Sequence, residues 1–187
     1  MDVVVAVHAA AALLLLVAGI AKIVRPGPTA DLLASLGLPA GERLARGIGV
    51  VESAVGIVAL GVGGPWPAAA TGGFYVAFVV VVVRAIGAGA TSCGCFGRVD
   101  APPSWIHVIG NLVLAAVSFA AIGGDTPVEV MDGQPAGGLG FVLLVGVLAG
   151  LSLVAFTALP EALGARKGGA TPVAFRIDPR HDPEDAS

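Results

Sequence analysis

The two cysteines of the chain, Cys93 and Cys95, lie one residue apart in the segment Ser92-Cys93-Gly94-Cys95-Phe96-Gly97. Paired thiols suit thiol–disulfide exchange, and they also suit a soft metal ion such as Cu(I) or Hg(II). A disulfide between them closes a small ring, which Gly94 favours because glycine accepts unusual backbone angles. A ring that departs from relaxed geometry is more easily reduced. The spacing therefore predicts a reactive or metal-bound pair rather than a structural staple.

A few ionisable and amide side chains interrupt the apolar runs, and alternating helix direction brings them towards the face of the cysteines: Lys22, Glu52, Arg84, His107 and Asn111. Glu52 is the most informative, because a carboxylate more than one turn inside an apolar run is costly and marks a functional site or an ion pair. We expect its partner to be Lys22 or Arg84. The other groups also have structural explanations: cations near helix ends can snorkel, a histidine there can be solvated, and an asparagine can join two helices.

The elements that must position these groups are membrane helices. Hydrophobic residues make up 56% of the 187 residues and charged residues only 12%, and the mean hydropathy is +0.92. This composition excludes an ordinary soluble domain. We expect an all-α membrane protein, a bundle of about five transmembrane helices. The predicted spans are Val3–Val24, Gly47–Val62, Ala68–Gly87, Trp105–Ile122 and 138–159.

The first span is expected to remain as a membrane helix. It is roughly 33 Å long at the helical rise per residue, enough to cross a hydrocarbon core of about 30 Å. Met1-Asp2 carries no positive charge, so the run does not have the pattern of a signal peptide. His8 lies towards the opposite face from the cysteines, and we expect it to serve packing.

A short interfacial helix is predicted over residues 29–38, between the first two spans. Thr29 is a candidate N-cap, and Gly37 followed by Leu38 is typical of a left-handed C-cap. Pro39 is suited to the first position of the next helix.

The remaining segments are connections. Residues 88–104 form the cysteine loop, in which Asp100 or Ser104 is the expected N-cap of the fourth span. Residues 123–137 form an acidic, glycine-rich external loop, and residues 160–187 a polar, disordered tail.

The charges predict an orientation. With five spans, one side holds all 10 basic residues, while the other holds Asp2, Asp125, Glu129 and Asp132. The positive-inside rule then places the N-terminus outside, the C-terminus in the cytoplasm and the cysteine loop at the cytoplasmic end of a multi-pass protein of the bacterial cell membrane.

The segment Cys93-Gly94-Cys95-Phe96-Gly97, followed by Trp105 and Asn111, resembles the C-x-C-F-G segment of the MauE-like, DoxX-related membrane proteins, which are named for methylamine utilisation. The resemblance extends to Gly19-Ile20-Ala21-Lys22, Pro28 and Glu52. It covers about residues 10 to 120. It implies a four-helix DoxX-like redox core over residues 1–122, with the fifth helix outside it.

The resemblance implies thiol redox chemistry, including disulfide formation in a partner such as methylamine dehydrogenase. Phe96 and Gly97 belong to the matching motif and are expected to support the site. The chain departs from the family pattern at Gly110, where a basic residue is expected before the asparagine. The charge rule also places the cysteines inside, whereas a periplasmic disulfide role requires them outside or alternately exposed.

We therefore expect a membrane thiol–disulfide redox protein in which Cys93, Cys95 and Glu52 carry the chemistry. Lys22 and Arg84 would stabilise thiolate, His107 would assist proton movement, and Asn111 would fix the loop to the fourth helix. The expected partners are a thioredoxin-like or other thiol protein and a lipid bilayer, with a quinone as a further electron carrier. A soft-metal carrier that binds through both cysteines, and an assembly subunit with a structural disulfide, remain as alternatives.

Overall fold

The computed structural model describes residues 3–90, 102–132 and 135–167, and within these ranges every regular element is a helix. In chain order they are α1 (Val3–Val24), α2 (Gly27–Ser35), α3 (Glu42–Gly61), α4 (Pro65–Gly87), α5 (Trp105–Ala120), α6 (Pro127–Asp132) and α7 (Pro135–Lys167). The predicted all-α class is confirmed.

In the described ranges, four helices are long and apolar enough to cross a membrane: α1, α3, α4 and the part of α7 over Gly138–Leu159. The helix α5 is apolar but has only 16 residues. Its length is about 24 Å, short of a hydrocarbon core of about 30 Å. The expectation of membrane helices is confirmed, and the count of five spans is confirmed only for these four.

The helix α1 is the centre of the bundle, because it packs against α3, α4, α5 and α7. More of its surface is buried than that of any other candidate span in the described residues. Most of its alanines, including Ala6, Ala9 and Ala11, are fully or almost fully buried. Small side chains let neighbouring helices approach closely where lipid gives no hydrophobic drive to association.

The helices α1 and α3 approach each other closely at Gly19 and Gly49. A Cβ on Gly19 would lie 2.6 Å from the Gly49 carbonyl oxygen, and a Cβ on Gly49 would lie 2.6 Å from the Gly19 carbonyl oxygen. The two backbones therefore touch at a point where only glycine fits. Lys22 and Glu52 each follow one of these glycines by three residues, so this contact brings their side chains within reach of each other.

Two helix starts differ from prediction. The helix α2 begins at Gly27 after Pro26, with proline in its first turn. Proline is favoured there because the first N–H groups have no helical partner. Thr29 is consequently inside the helix and buried, so its assignment as N-cap is wrong. Pro39 does not start the next helix either, since α3 begins at Glu42 after Gly41.

The C-cap prediction for α2 is confirmed. Gly37 has a φ of 68°. The N–H of Leu38 donates to the carbonyl of Leu33 at 3.0 Å. This bond pattern is that of a Schellman motif, in which a left-handed residue closes the helix.

The connections are more helical than expected. The segment predicted as an external loop contains α6, whose start is a capping box: the Thr126 N–H donates to Glu129 Oε2 at 2.7 Å, and the Glu129 N–H donates to Thr126 Oγ1 at 3.2 Å. Hydrogen bonding to Thr126 lowers the pKa of the Glu129 carboxyl group. The bond with the Thr126 backbone has the larger effect, and the bond with the Thr126 side chain adds to it. The helix α7 continues to Lys167, past the predicted start of the tail at 160. Residues 168–187 lie outside the described ranges.

Candidate functional site

A buried ion pair lies at the core of the site. Lys22 Nζ donates to Glu52 Oε2 at 2.8 Å, and the side chains are 6% and 0% exposed, respectively. Two charges removed from water in this way are stable only when each compensates the other. Of the two partners expected for Glu52, the structure selects Lys22.

Arg84 takes no part in this pair. It lies in the last turn of α4, where its side chain is exposed. Its position agrees with that of a cation that snorkels from a helix end towards water.

The second oxygen of Glu52 has no hydrogen-bond partner within the part of the chain that the structure describes. Oε1 is buried without a hydrogen-bond donor among the described residues, and so is the neighbouring hydroxyl of Ser53. Leaving a buried polar atom unpaired costs about 1–3 kcal/mol, and more for a charged group. The carboxylate therefore has a free acceptor site beside a bound ammonium, an arrangement that can take up a proton.

A small cavity borders Lys22. Its volume is about 30 Å³, which is room for about one or two water molecules and too little for an aromatic ligand ring. Lys22 Nζ also lies 5.4 Å from the centroid of the Phe78 ring, within the range of a cation–π contact. The polar and aromatic side chains that line the cavity are Lys22, Tyr75, Phe78, His107, Asn111 and Phe156.

The first two turns of α5 supply His107 and Asn111, and both side chains are buried. His107 Nδ1 lies 2.9 Å from the Ser104 hydroxyl. Ser104 is the N-cap residue of α5, as predicted, but its side chain makes no capping bond; the contact with His107 takes its place. Asn111 Nδ2 donates to the carbonyl of His107 at 2.6 Å, so this hydrogen bond lies within α5; the expected link from Asn111 to the cysteine loop involves residues outside the described ranges.

The ring of Phe156, from α7, stacks on His107, with a centroid distance of 5.7 Å and an interplanar angle of 14°. Phe156 was not anticipated, because it lies in a charge-free apolar run that gives no periodic signal. Gly110 did carry a signal. It is where the chain lacks the expected basic residue, and a Cβ there would overlap the ring of Phe156.

His8 lies away from this group. It is buried in α1, and its Nδ1 lies 3.3 Å from the Ser118 hydroxyl on α5. The contact joins two helices, in agreement with the packing role expected for it.

Cys93 and Cys95 lie outside the described residues, as do Phe96, Gly97, Arg98 and Asp100. The helix α4 ends at Gly87, the described chain continues to Ala90, and it resumes at Pro102 ahead of α5. The two flanking helix ends pack together, with Val82 and Val108 in one buried cluster. The chain therefore enters and leaves the cysteine segment at the end of the bundle where His107 lies.

Among the described residues, no group of three or more His, Cys, Asp or Glu side chains is placed to hold a metal ion. In that part of the chain, the arrangement is suited to proton exchange: a buried ammonium and carboxylate in contact, a water-sized cavity beside them, and an imidazole on the cavity wall.

Comparison with known proteins identifies the family of the chain. No curated protein matches the chain, and no solved structure matches it either. The model of the family described as methylamine utilisation protein MauE matches residues 2–124. The match includes Lys22, Glu52, His107 and Asn111 and stops before α7. This chain is a multi-pass membrane protein that belongs to the MauE family.

Proposed function

We propose that Cys93 and Cys95 cycle between dithiol and disulfide and relay electrons from a thiol partner to a thioredoxin-like protein or a membrane quinone. The observation that carries this proposal is the buried Lys22–Glu52 pair. It lies beside a cavity bounded by His107, at the helix end from which the cysteine segment departs. The family description, methylamine utilisation, supplies the setting.

The exchange is written with Cys95 as the attacking thiol. Its thiolate attacks the disulfide of an oxidised partner, forms a mixed disulfide and releases one partner thiolate. The Cys93 thiolate then attacks the mixed disulfide at Cys95, which releases the second partner thiolate and leaves a Cys93–Cys95 disulfide. A second, dithiol partner reduces this disulfide and is itself oxidised. With a quinone as acceptor, the dithiol instead gives up two electrons and two protons to form quinol.

Protons must move in each half of the cycle, because a thiol loses its proton to attack as a thiolate and each released thiolate takes up a proton afterwards. In this proposal Glu52 accepts and returns a proton, and His107 lies on the route between the cavity and the loop. Lys22 compensates the carboxylate when the proton is absent. Arg84 lies in the last turn of α4, ahead of the cysteine segment in the chain. Its positive charge favours the thiolate form of the cysteines.

Replacement of each cysteine by serine tests the proposal. Cys93→Ser removes the resolving thiol, so a partner is expected to accumulate on Cys95 as a band of higher mass that disappears on reduction. Cys95→Ser is the matched control and is expected to trap nothing. The assay is non-reducing electrophoresis after acid quenching and thiol blocking in cells.

A soft-metal carrier would give a different result. Both single variants would then lose stoichiometric copper or mercury, and neither would accumulate a mixed disulfide. An assembly subunit with a structural disulfide would show a cysteine pair that stays oxidised in cells throughout growth. Either result would overturn the redox proposal.

A further inference from the structure

Phe156 stands between two separate spaces. On one side is the cavity of about 30 Å³ that Lys22, His107 and Asn111 line. On the other is an apolar groove of about 330 Å³ between α5 and α7, which Phe156 also lines. The groove is bordered by Ile109 and Val113, which are 61% and 52% exposed, so in a membrane it opens towards lipid.

The fit of Phe156 is specific. Its side chain is only 8% exposed, and its ring lies nearly parallel to the imidazole of His107. The ring also fills the space where residue 110 would carry a Cβ. His107 and Gly110 are three residues apart and share one face of α5, so together they form a socket for the ring.

The helix that supplies Phe156 lies beyond the part of the chain that matches the family. The matched part provides the ion pair, the imidazole and the socket, but not the ring that covers them. We propose that α7 completes the site: Phe156 is a positioning residue that orients the His107 ring and seals the Lys22 cavity from the lipid phase.

This role goes beyond the redox proposal and does not depend on it. A phenyl ring is wide and has few rotatable bonds, so it closes an opening between two helices at little cost in side-chain entropy. Without the ring, the cavity and the groove join, and a lipid-soluble molecule gains a path to Lys22. With it, the cavity that Lys22 lines is separated from the lipid-facing groove.

Labelling with phenyl isothiocyanate tests the seal. This reagent partitions into the bilayer, and an amine adds across its N=C bond without a leaving group. The chain contains two lysines, Lys22 and Lys167, and Lys167 serves as the internal reference. Peptide mass spectrometry on intact protein in lipid nanodiscs gives the ratio of label on Lys22 to label on Lys167.

Phe156→Ala is expected to raise this ratio severalfold. The matched control is Phe141→Ala, which removes the same ring from a buried position on the same helix but does not line the cavity. A general loosening of α7 would raise the ratio equally in both variants, and that result would overturn the proposal. An unchanged ratio in Phe156→Ala would overturn it too.

The socket has its own test. The imidazole proton signals of His107 are expected to carry a ring-current shift that Phe156→Ala removes and Phe141→Ala leaves in place. Gly110→Ala is expected to raise Lys22 labelling by displacing the ring, with no further increase in the Gly110→Ala/Phe156→Ala double variant. If the two substitutions multiply their effects instead, residue 110 does not act through Phe156. If the His107 signals do not respond to loss of the ring, Phe156 does not orient the imidazole.

Discussion

Loss of either charge of the Lys22–Glu52 pair is expected to cost far more than loss of both. Lys22→Met leaves the Glu52 carboxylate buried without a counter-ion, and Glu52→Met leaves the ammonium in the same position. The pair is 2.8 Å apart with almost no exposed surface, so solvent screens it little. Removal of one partner from such a pair costs about 3–5 kcal/mol.

The double variant, Lys22→Met/Glu52→Met, removes both charges and keeps nearly the same volume. Replacement of a buried ion pair by apolar side chains is often neutral, or stabilising by about 1–4 kcal/mol. We therefore expect each single variant to unfold at lower denaturant concentration than wild type. The double variant should unfold at or above the wild-type midpoint. The measurement is equilibrium unfolding of the purified protein in detergent.

Activity separates a structural pair from a functional one. If Glu52 moves a proton, the stable double variant and Glu52→Gln should both lose turnover by about a hundredfold to ten thousandfold, the usual contribution of general acid–base catalysis. The readout is the rate at which the reduced cysteine pair is reoxidised in membranes. Wild-type turnover in the double variant would show that the pair only holds α1 to α3. Equal destabilisation in all three Met variants would refute the electrostatic reasoning itself.

Two further predictions concern the fold. Gly49→Ala should destabilise the protein, because its Cβ would lie 2.6 Å from a carbonyl oxygen of α1. Gly47→Ala on the same helix, where a Cβ would have no atom within 4 Å, should be neutral or stabilise by up to about 1 kcal/mol. Thermal unfolding of both variants in detergent compares their stabilities. With five spans, a reporter fused after Ser187 should behave as cytoplasmic and one inserted near Gly133 as external. If both reporters lie on the same side, the prediction of five spans and of this orientation is wrong.

The helices were readable from local features of the chain. Apolar runs of about twenty residues predict spans because backbone groups in lipid must bond internally. The left-handed cap at Gly37 follows from glycine's backbone freedom. Starts of helices were harder to read: Thr29 has the side chain of a cap, but Gly27 and Pro28 had already begun the helix. Several neighbouring residues can each start a helix, and the sequence pattern does not show which of them will.

The site was readable in part. Glu52 could be singled out because a carboxylate in an apolar run is energetically costly unless it has a partner or a function. Lys22 and Arg84 could be named as its candidate partners. Choosing between them required the contact of α1 with α3 at Gly19 and Gly49. That contact lies between residues 30 positions apart, and no periodicity in either helix encodes it.

The sequence alone indicates the membrane location, the helical class, the cysteine pair and the ionisable residue types of the candidate site, because each depends on composition or on a few neighbouring residues. The tertiary structure decided which cation meets Glu52, that Arg84 stays exposed at its helix end, and that Phe156 covers His107. These outcomes depend on which helix faces pack against each other, and that choice is made by shape complementarity summed over the whole bundle. A featureless apolar run such as α7 therefore gave no indication that it supplies a wall of the site.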